Sequence, residues 1–150
     1  MELTASSFHD GQIPREFTCD GGDNSPQLAW TEPPQGTRTL ALIVTDPDAP
    51  VGTWVHWVLY NLPPNLRELP QALPAQPQLP DGSRQGLNDF GRIGYGGPCP
   101  PRHSVHRYFF HLYALNAALN VPPQATRKQV EAAMQGHILA SAELVARYER

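Results

Sequence analysis

The chain is poor in cysteine: its 150 residues hold only Cys19 and Cys99. Two are too few for a disulfide framework or a four-thiolate zinc site. In a cytosolic protein both are expected to be reduced thiols. Cys99, His103 and His106, with Asp46, have a crude zinc-like spacing, but a closed site needs a fourth ligand held as firmly. No metal is expected. Long apolar runs are missing too, none approaching the roughly 18 residues that would span a bilayer. The opening MELTASSFHD has neither the basic nor the apolar region of a secretory signal, so the chain reads as cytoplasmic. Its 11 Lys and Arg fall short of its 14 Asp and Glu and form no cluster, which removes the electrostatic footprint of a nucleic-acid partner. The glycines at 91, 94, 96 and 97 match neither a phosphate-binding P-loop nor a dinucleotide fingerprint, so no cofactor is implied. No Gly-x-Ser-x-Gly elbow surrounds Ser104. Without a legible nucleophile–base pair, the chain is not expected to be an enzyme.

Proline is plentiful, with 17 residues, and it is tolerated in turns, loops and edge strands rather than inside helices or central strands. One domain over residues 1–150, built of short extended elements, is the expectation. Three segments alternate with period two. In TLALIVTD, Leu40, Leu42, Val44 and Asp46 share a face. In TWVHWVLYNL, Trp54, His56, Val58 and Tyr60 do so. In HRYFFHLYAL, His106, Tyr108, Phe110 and Leu112 do so. All three are apolar on both faces and read as central strands covered on both sides. Residues 63–90, with six prolines and the turn signal Asp81-Gly82, read as an excursion over the surface. After Pro122-Pro123, Thr126 and Gln129 form a capping box. Val130, Ala133, Met134 and His137 then share a helical face. Beyond Gly136, ILASAELVARY reads as a second helix with Ile138, Ala142 and Val145 inward. Strands first and helices last argue for a mostly antiparallel sheet with terminal helices.

Chemistry concentrates in two places. DPDAP, residues 46–50, ends a strand with two carboxylates and two prolines. Asp46 shares a face with core residues and therefore needs a donor. A cis peptide at Asp46-Pro47 or Ala49-Pro50 is expected for the sharp turn. GYGGPCPPRHSVHRY, residues 94–108, packs glycine and proline before histidine, arginine and tyrosine. Glycine admits a ligand close to the backbone, and proline lowers the entropy cost of holding a loop. Asp46, His56, His106 and Tyr108 at strand ends can converge on one mouth of a sheet with this loop as its wall. Histidines, a phenol and backbone N–H groups suit an oxyanion such as phosphate, with Asp46 orienting a histidine.

TLALIVTDPDAP, HWVLYNLP, QGLNDFGRIGYGGPCPP and HRYFFHLYAL, in this order, resemble the phosphatidylethanolamine-binding protein family, in its bacterial and archaeal Raf kinase inhibitor-like branch. FTCDGGDNSPQLAW and GHILASAELVARYER are similar to the same branch, so the resemblance spans nearly the whole chain. It implies a mostly β fold: a central antiparallel sheet, a smaller second sheet and C-terminal helices. It also implies a shallow pocket for phosphate or a phospholipid head group, comprising Asp46, His56, His106 and Tyr108, with Tyr95, Gly97, Pro100 and Pro101 from the loop. His103 stands where relatives usually carry glycine. The function implied is a non-enzymatic binding protein. The alternative is an inhibitor of a serine protease or kinase that presents the long loop at 63–83, and a homodimer is compatible with either.

Overall fold

The computed structural model describes all 150 residues. In chain order it contains β1 (Leu3–Thr4), β2 (Leu28–Trp30), β3 (Thr39–Asp46), β4 (Trp54–Leu62), β5 (Glu68–Leu69), β6 (Arg84–Gln85), β7 (Val105–Leu115), α1 (Arg127–Met134) and β8 (Ile138–Glu149). A five-stranded antiparallel sheet runs β6-β4-β3-β7-β8, and a three-stranded one runs β1-β2-β5. The small sheet lies over one face of the large one. Between them Leu28, Trp30 and Leu69 pack with Leu40, Leu42, Val44, Trp57, Phe110 and Leu112. On the other face Ala41, Ile43, Val58 and Tyr60 pack with Val130 and Met134 of α1. All eight residues of β3 are buried, as its double-sided apolar pattern predicts.

Two expectations about the C-terminus part company. The capping box forms: the Thr126 hydroxyl accepts from Gln129 N–H, and the Gln129 side chain accepts from Thr126 N–H. The second helix does not form. Residues Ile138–Glu149 are a strand paired with β7 from Ile138 to Glu149. Both periods fit this segment. Ile138, Ala142 and Val145 make a helical stripe, but every even residue from Ile138 to Tyr148 is apolar. Ala140, Ala142, Leu144 and Tyr148 use that alternation to pack on the core. A full ladder against β7 outweighs the helix preference of Ala, Glu and Leu, which tertiary pairing overrides. No helix is long and apolar enough to cross a membrane.

The 63–83 excursion is pinned. Leu69 and Leu79 are buried, Ala72 N–H donates to Ser25 O, and the Gln85 amide donates to Pro74 O and Gln76 O.

The reduced-thiol expectation is overturned: Cys19 and Cys99 form a disulfide. Cys19 N–H donates to Pro98 O across 3.1 Å, and that bond sets the two loops side by side with Cα atoms 5.4 Å apart, inside bridging range. The expected cis peptide is also absent, since no peptide bond in the chain is cis. The turn after β3 is made otherwise. Asp46 Oδ1 accepts from Asp48 N–H, and Gly52, at φ 103°, closes a second turn by donating to Ala49 O.

A bridge across 80 residues constrains the unfolded chain by about 4 kcal/mol in the loop-entropy treatment. Thiol titration of the denatured, unreduced protein is expected to return none. Reduction is expected to lower unfolding free energy by about 2–4 kcal/mol in urea titrations. Two titratable thiols, or identical urea midpoints, would contradict this.

Candidate functional site

The site forms where β3 ends, β7 begins and β4 departs from regular pairing. Asp46 closes β3 with its carboxylate on the face that carries Leu40, Leu42 and Val44. His106 sits on the matching face of β7, and its Nδ1 lies 2.6 Å from Asp46 Oδ2. Because a carboxylate accepts, His106 Nδ1–H is the donor. Both groups are buried, so this bond answers the need of a buried carboxylate for a partner.

His56 reaches the same place through a bulge. The β3–β4 register runs Val44↔Trp57 and then Thr45↔Val55, so His56 is left without a partner. Strict alternation would group His56 with Val58 and Tyr60, on the α1 side. The extra residue moves it to the opposite face. There its ring meets Tyr108 edge-on at 5.2 Å. Gly96 clamps it twice: Gly96 N–H donates to His56 O at 2.9 Å, and His56 Nδ1–H donates to Gly96 O at 2.6 Å. Burial pushes the His56 pKa below its ordinary value, against the pull of Gly96 O and Asp46.

A cavity of about 320 Å³ opens beside these groups. Asp46, His56, His106, Pro100 and Pro101 line it. So do Ala49, Pro50, Val51, Trp54, Phe90, Cys99 and Arg150. Trp54 and His56 both meet the Phe90 ring edge-on, at 5.5 and 5.4 Å. Neither histidine Nε2 has a protein partner, and neither is sealed off as an orphaned buried atom. Both are therefore open to the cavity. The three remaining expected residues brace the wall from behind. The Tyr95 hydroxyl donates to Phe17 O at 2.6 Å, and burial pushes its phenol far above the ordinary value. Gly97 N–H donates to Asp23 Oδ1 at 2.8 Å. A Cβ on Gly97 would sit 2.2 Å from Phe17 O, so only glycine fits. The Tyr108 hydroxyl is buried without a partner, and desolvation, then Asp46, raise its pKa. Cys99 is held in its disulfide, away from any zinc-like use with His103 and His106.

Sequence reasoning missed Trp54, Phe90 and Arg150 as lining residues. Trp54 was legible, because it neighbours His56 on β4. Arg150 carried no local signal, since β8 pairing delivers it to the site. Its guanidinium binds Asp20 at 3.1 Å and donates to Pro100 O at 3.3 Å. At the rim Arg107 grips Asp48 through its backbone N–H, Nε and Nη2, holding the Asp48 pKa at about 2. His103 adopts φ 67°, the left-handed conformation that glycine takes most easily. The loop is held in this shape as His103 N–H donates to Arg150 O at 2.7 Å.

A family model described as phosphatidylethanolamine-binding protein matches residues 4–149. A UPF0098 protein of Aquifex aeolicus is 51% identical over 153 residues, covering 100% of this chain and 89% of the relative. Among solved structures, CT736 of Chlamydia trachomatis, described as a phosphatidylethanolamine-binding protein homolog, is 40% identical with a TM-score of 0.89, covering 99% and 97% of the two chains. Escherichia coli YbcL, described as a new member of the mammalian PEBP family, is 33% identical with a TM-score of 0.89, covering 99% and 98%.

Two measurements probe the geometry. With its folded pKa depressed, His56 stays neutral while the unfolded chain takes up a proton below about pH 6.5. The unfolded state then binds more protons, so the stability contribution present above that pH is lost as pH falls. The stability gap between the parent and His56→Gln is expected to narrow from about pH 7.5 to about pH 5.5; a constant gap would contradict a neutral buried ring. Tyr108→Phe removes an orphaned hydroxyl and is expected to stabilise the protein by about 1 kcal/mol in urea unfolding. Destabilisation would mean that the hydroxyl has a partner.

Proposed function

Because the chain belongs to the phosphatidylethanolamine-binding protein family, we propose that the cavity between Asp46, His56 and His106 is a non-enzymatic binding site for phosphate or a phosphorylated head group. The observation that carries this reading is the pair of histidine Nε2 atoms open to the cavity beside Arg150. In each ring Nδ1–H is already donated to a protein acceptor. A neutral ring therefore offers a lone pair at Nε2, and only a protonated one offers a second N–H. This refines the expectation that the histidines act as donors. Where a ring is neutral, as burial favours at His56, the site favours an oxyanion that brings its own donor: the remaining proton of inorganic phosphate, or the ammonium of phosphoethanolamine. Arg150 supplies the permanent positive charge, and Trp54 and Phe90 offer apolar surface to the organic part of an ester.

Binding rather than turnover is favoured by the fate of the nearby nucleophiles. Ser104 Oγ donates to Pro101 O, and Cys99 is bonded to Cys19. The inhibitor alternative draws no support from residues 63–83, where Leu69 and Leu79 are buried and the backbone is tied to Ser25.

Calorimetric titration at about pH 7.5 is expected to show phosphate and phosphoethanolamine binding at least about tenfold more tightly than sulfate, which carries no proton to give. The factor corresponds to one hydrogen bond to a charged group. His106→Gln, which removes the ring Nε2 from the cavity, should lower phosphate affinity by a similar factor. Equal heats for phosphate, sulfate and acetate, unchanged in His106→Gln, would sink the proposal.

A further inference from the structure

The disulfide lies at the edge of the cavity rather than in a core. Cys99 lines the cavity between Pro98 and the wall residues Pro100 and Pro101, and both Cys19 and Cys99 are solvent-exposed. Exposed disulfides are the ones that exchange with external thiols, whereas structural ones are shielded. The two sulfurs also differ in their surroundings. Arg150 Nη1 lies 3.9 Å from Cys99 Sγ, while the same guanidinium holds Pro100 O and Asp20. Asp20 in turn accepts from the Tyr148 hydroxyl at 2.6 Å. A cation beside one sulfur stabilises that sulfur as thiolate, which makes it the better leaving group.

We propose that the Cys19–Cys99 bond is a thiol–disulfide exchange site for a small thiol, attacked at Cys19, and that its opening loosens the cavity wall at residues 98–101. In the first step a thiolate RS⁻ attacks Cys19 Sγ. The Cys19–Cys99 bond breaks, a Cys19–SR mixed disulfide forms, and Cys99 departs as a thiolate beside Arg150. A second RS⁻ then attacks the R sulfur of the mixed disulfide, releasing RSSR and the Cys19 thiolate. Two thiols give up two electrons and two protons, and the protein disulfide becomes two thiols. In a cytoplasm, where thiols are kept reduced, a bond of this kind is transient and redox-sensing. With the bridge open, Pro98 keeps its bond to Cys19 N–H and Pro100 its bond to Arg150, but the covalent tie that closes the wall is gone. The consequence for ligand affinity rests on the phosphate reading above; the exchange and the loosening do not.

The test treats the folded protein with reduced glutathione, quenches with N-ethylmaleimide at intervals, and maps the peptides by mass. Early samples are expected to carry glutathione on Cys19 and alkylation on Cys99, and Arg150→Gln should slow the reaction at least about threefold. Glutathione on Cys99 instead, or reaction only after denaturation, would overturn the assignment. Hydrogen exchange without any ligand supplies a readout independent of the phosphate reading. The Gly97 and His103 amides, which donate to Asp23 Oδ1 and Arg150 O, are expected to exchange at least about tenfold faster once two thiols titrate, with the β3 and β7 amides unchanged. Unaltered exchange there refutes the loosening even if phosphate binds well. Phosphate binding to the oxidised protein with none to the reduced form is the affinity outcome expected, and equal affinity in the two forms would refute the link. Failure of the oxidised protein to bind phosphate counts against the binding site alone, because the mapping and the exchange rates still decide the redox proposal.

Discussion

The fold depends on how a buried carboxylate is satisfied at the end of its most deeply buried strand. β3 is covered on both faces along its whole length, and Asp46 is its last residue. Charge in such a place costs several kcal/mol unless its oxygens are hydrogen-bonded. One oxygen takes the His106 N–H and so ties β3 to the start of β7. The other takes Asp48 N–H and so turns the chain out of the sheet. That turn sends the Asp48 carboxylate to Arg107. Strand end, loop direction and cavity mouth are thus consequences of one pairing.

Much of this was legible, because period-two alternation states which face a residue occupies. Leu40, Leu42, Val44 and Asp46 fall together, as do His106, Tyr108 and Phe110, and antiparallel pairing of β3 with β7 brings the two rows into contact. His56 was found for a reason that does not hold. Alternation groups it with Val58 and Tyr60, but the bulge returns it to the side of Asp46. A bulge is a property of two strands, and no residue within β4 announces it. The loop motif separated into wall and support: Pro100 and Pro101 face the cavity, while Tyr95 and Gly97 anchor the loop to Phe17 and Asp23.

What escaped sequence reading is long-range. The segment 138–149 satisfies a helical stripe and a strand alternation at once, and the exposed edge of β7 decides between them. The disulfide joins loops 80 residues apart, and counting cysteines cannot show that a backbone bond from Cys19 to Pro98 sets them side by side. Arg150 enters the cavity only because β8 is a strand. Had residues 138–149 been helical, the chain end would not run alongside β7, and the pocket would lack its permanent cation.

The chemical character of the site follows from direction rather than from composition. Two histidines beside an aspartate suggest donors for an anion, yet each ring has its Nδ1–H engaged by Gly96 O or Asp46. What reaches the cavity is the opposite edge, a lone pair when the ring is neutral, and burial favours neutrality at His56. On the proposed reading, such an edge would discriminate by the proton or ammonium a ligand carries, which net charge alone cannot do. Positive charge comes from Arg150, and that side chain is shared: it also holds Pro100 O, Asp20 and the neighbourhood of Cys99 Sγ. Charge at the cavity and closure of its wall therefore meet in one guanidinium, so a change in the bond at Cys99 is felt first by the group that an anion would need.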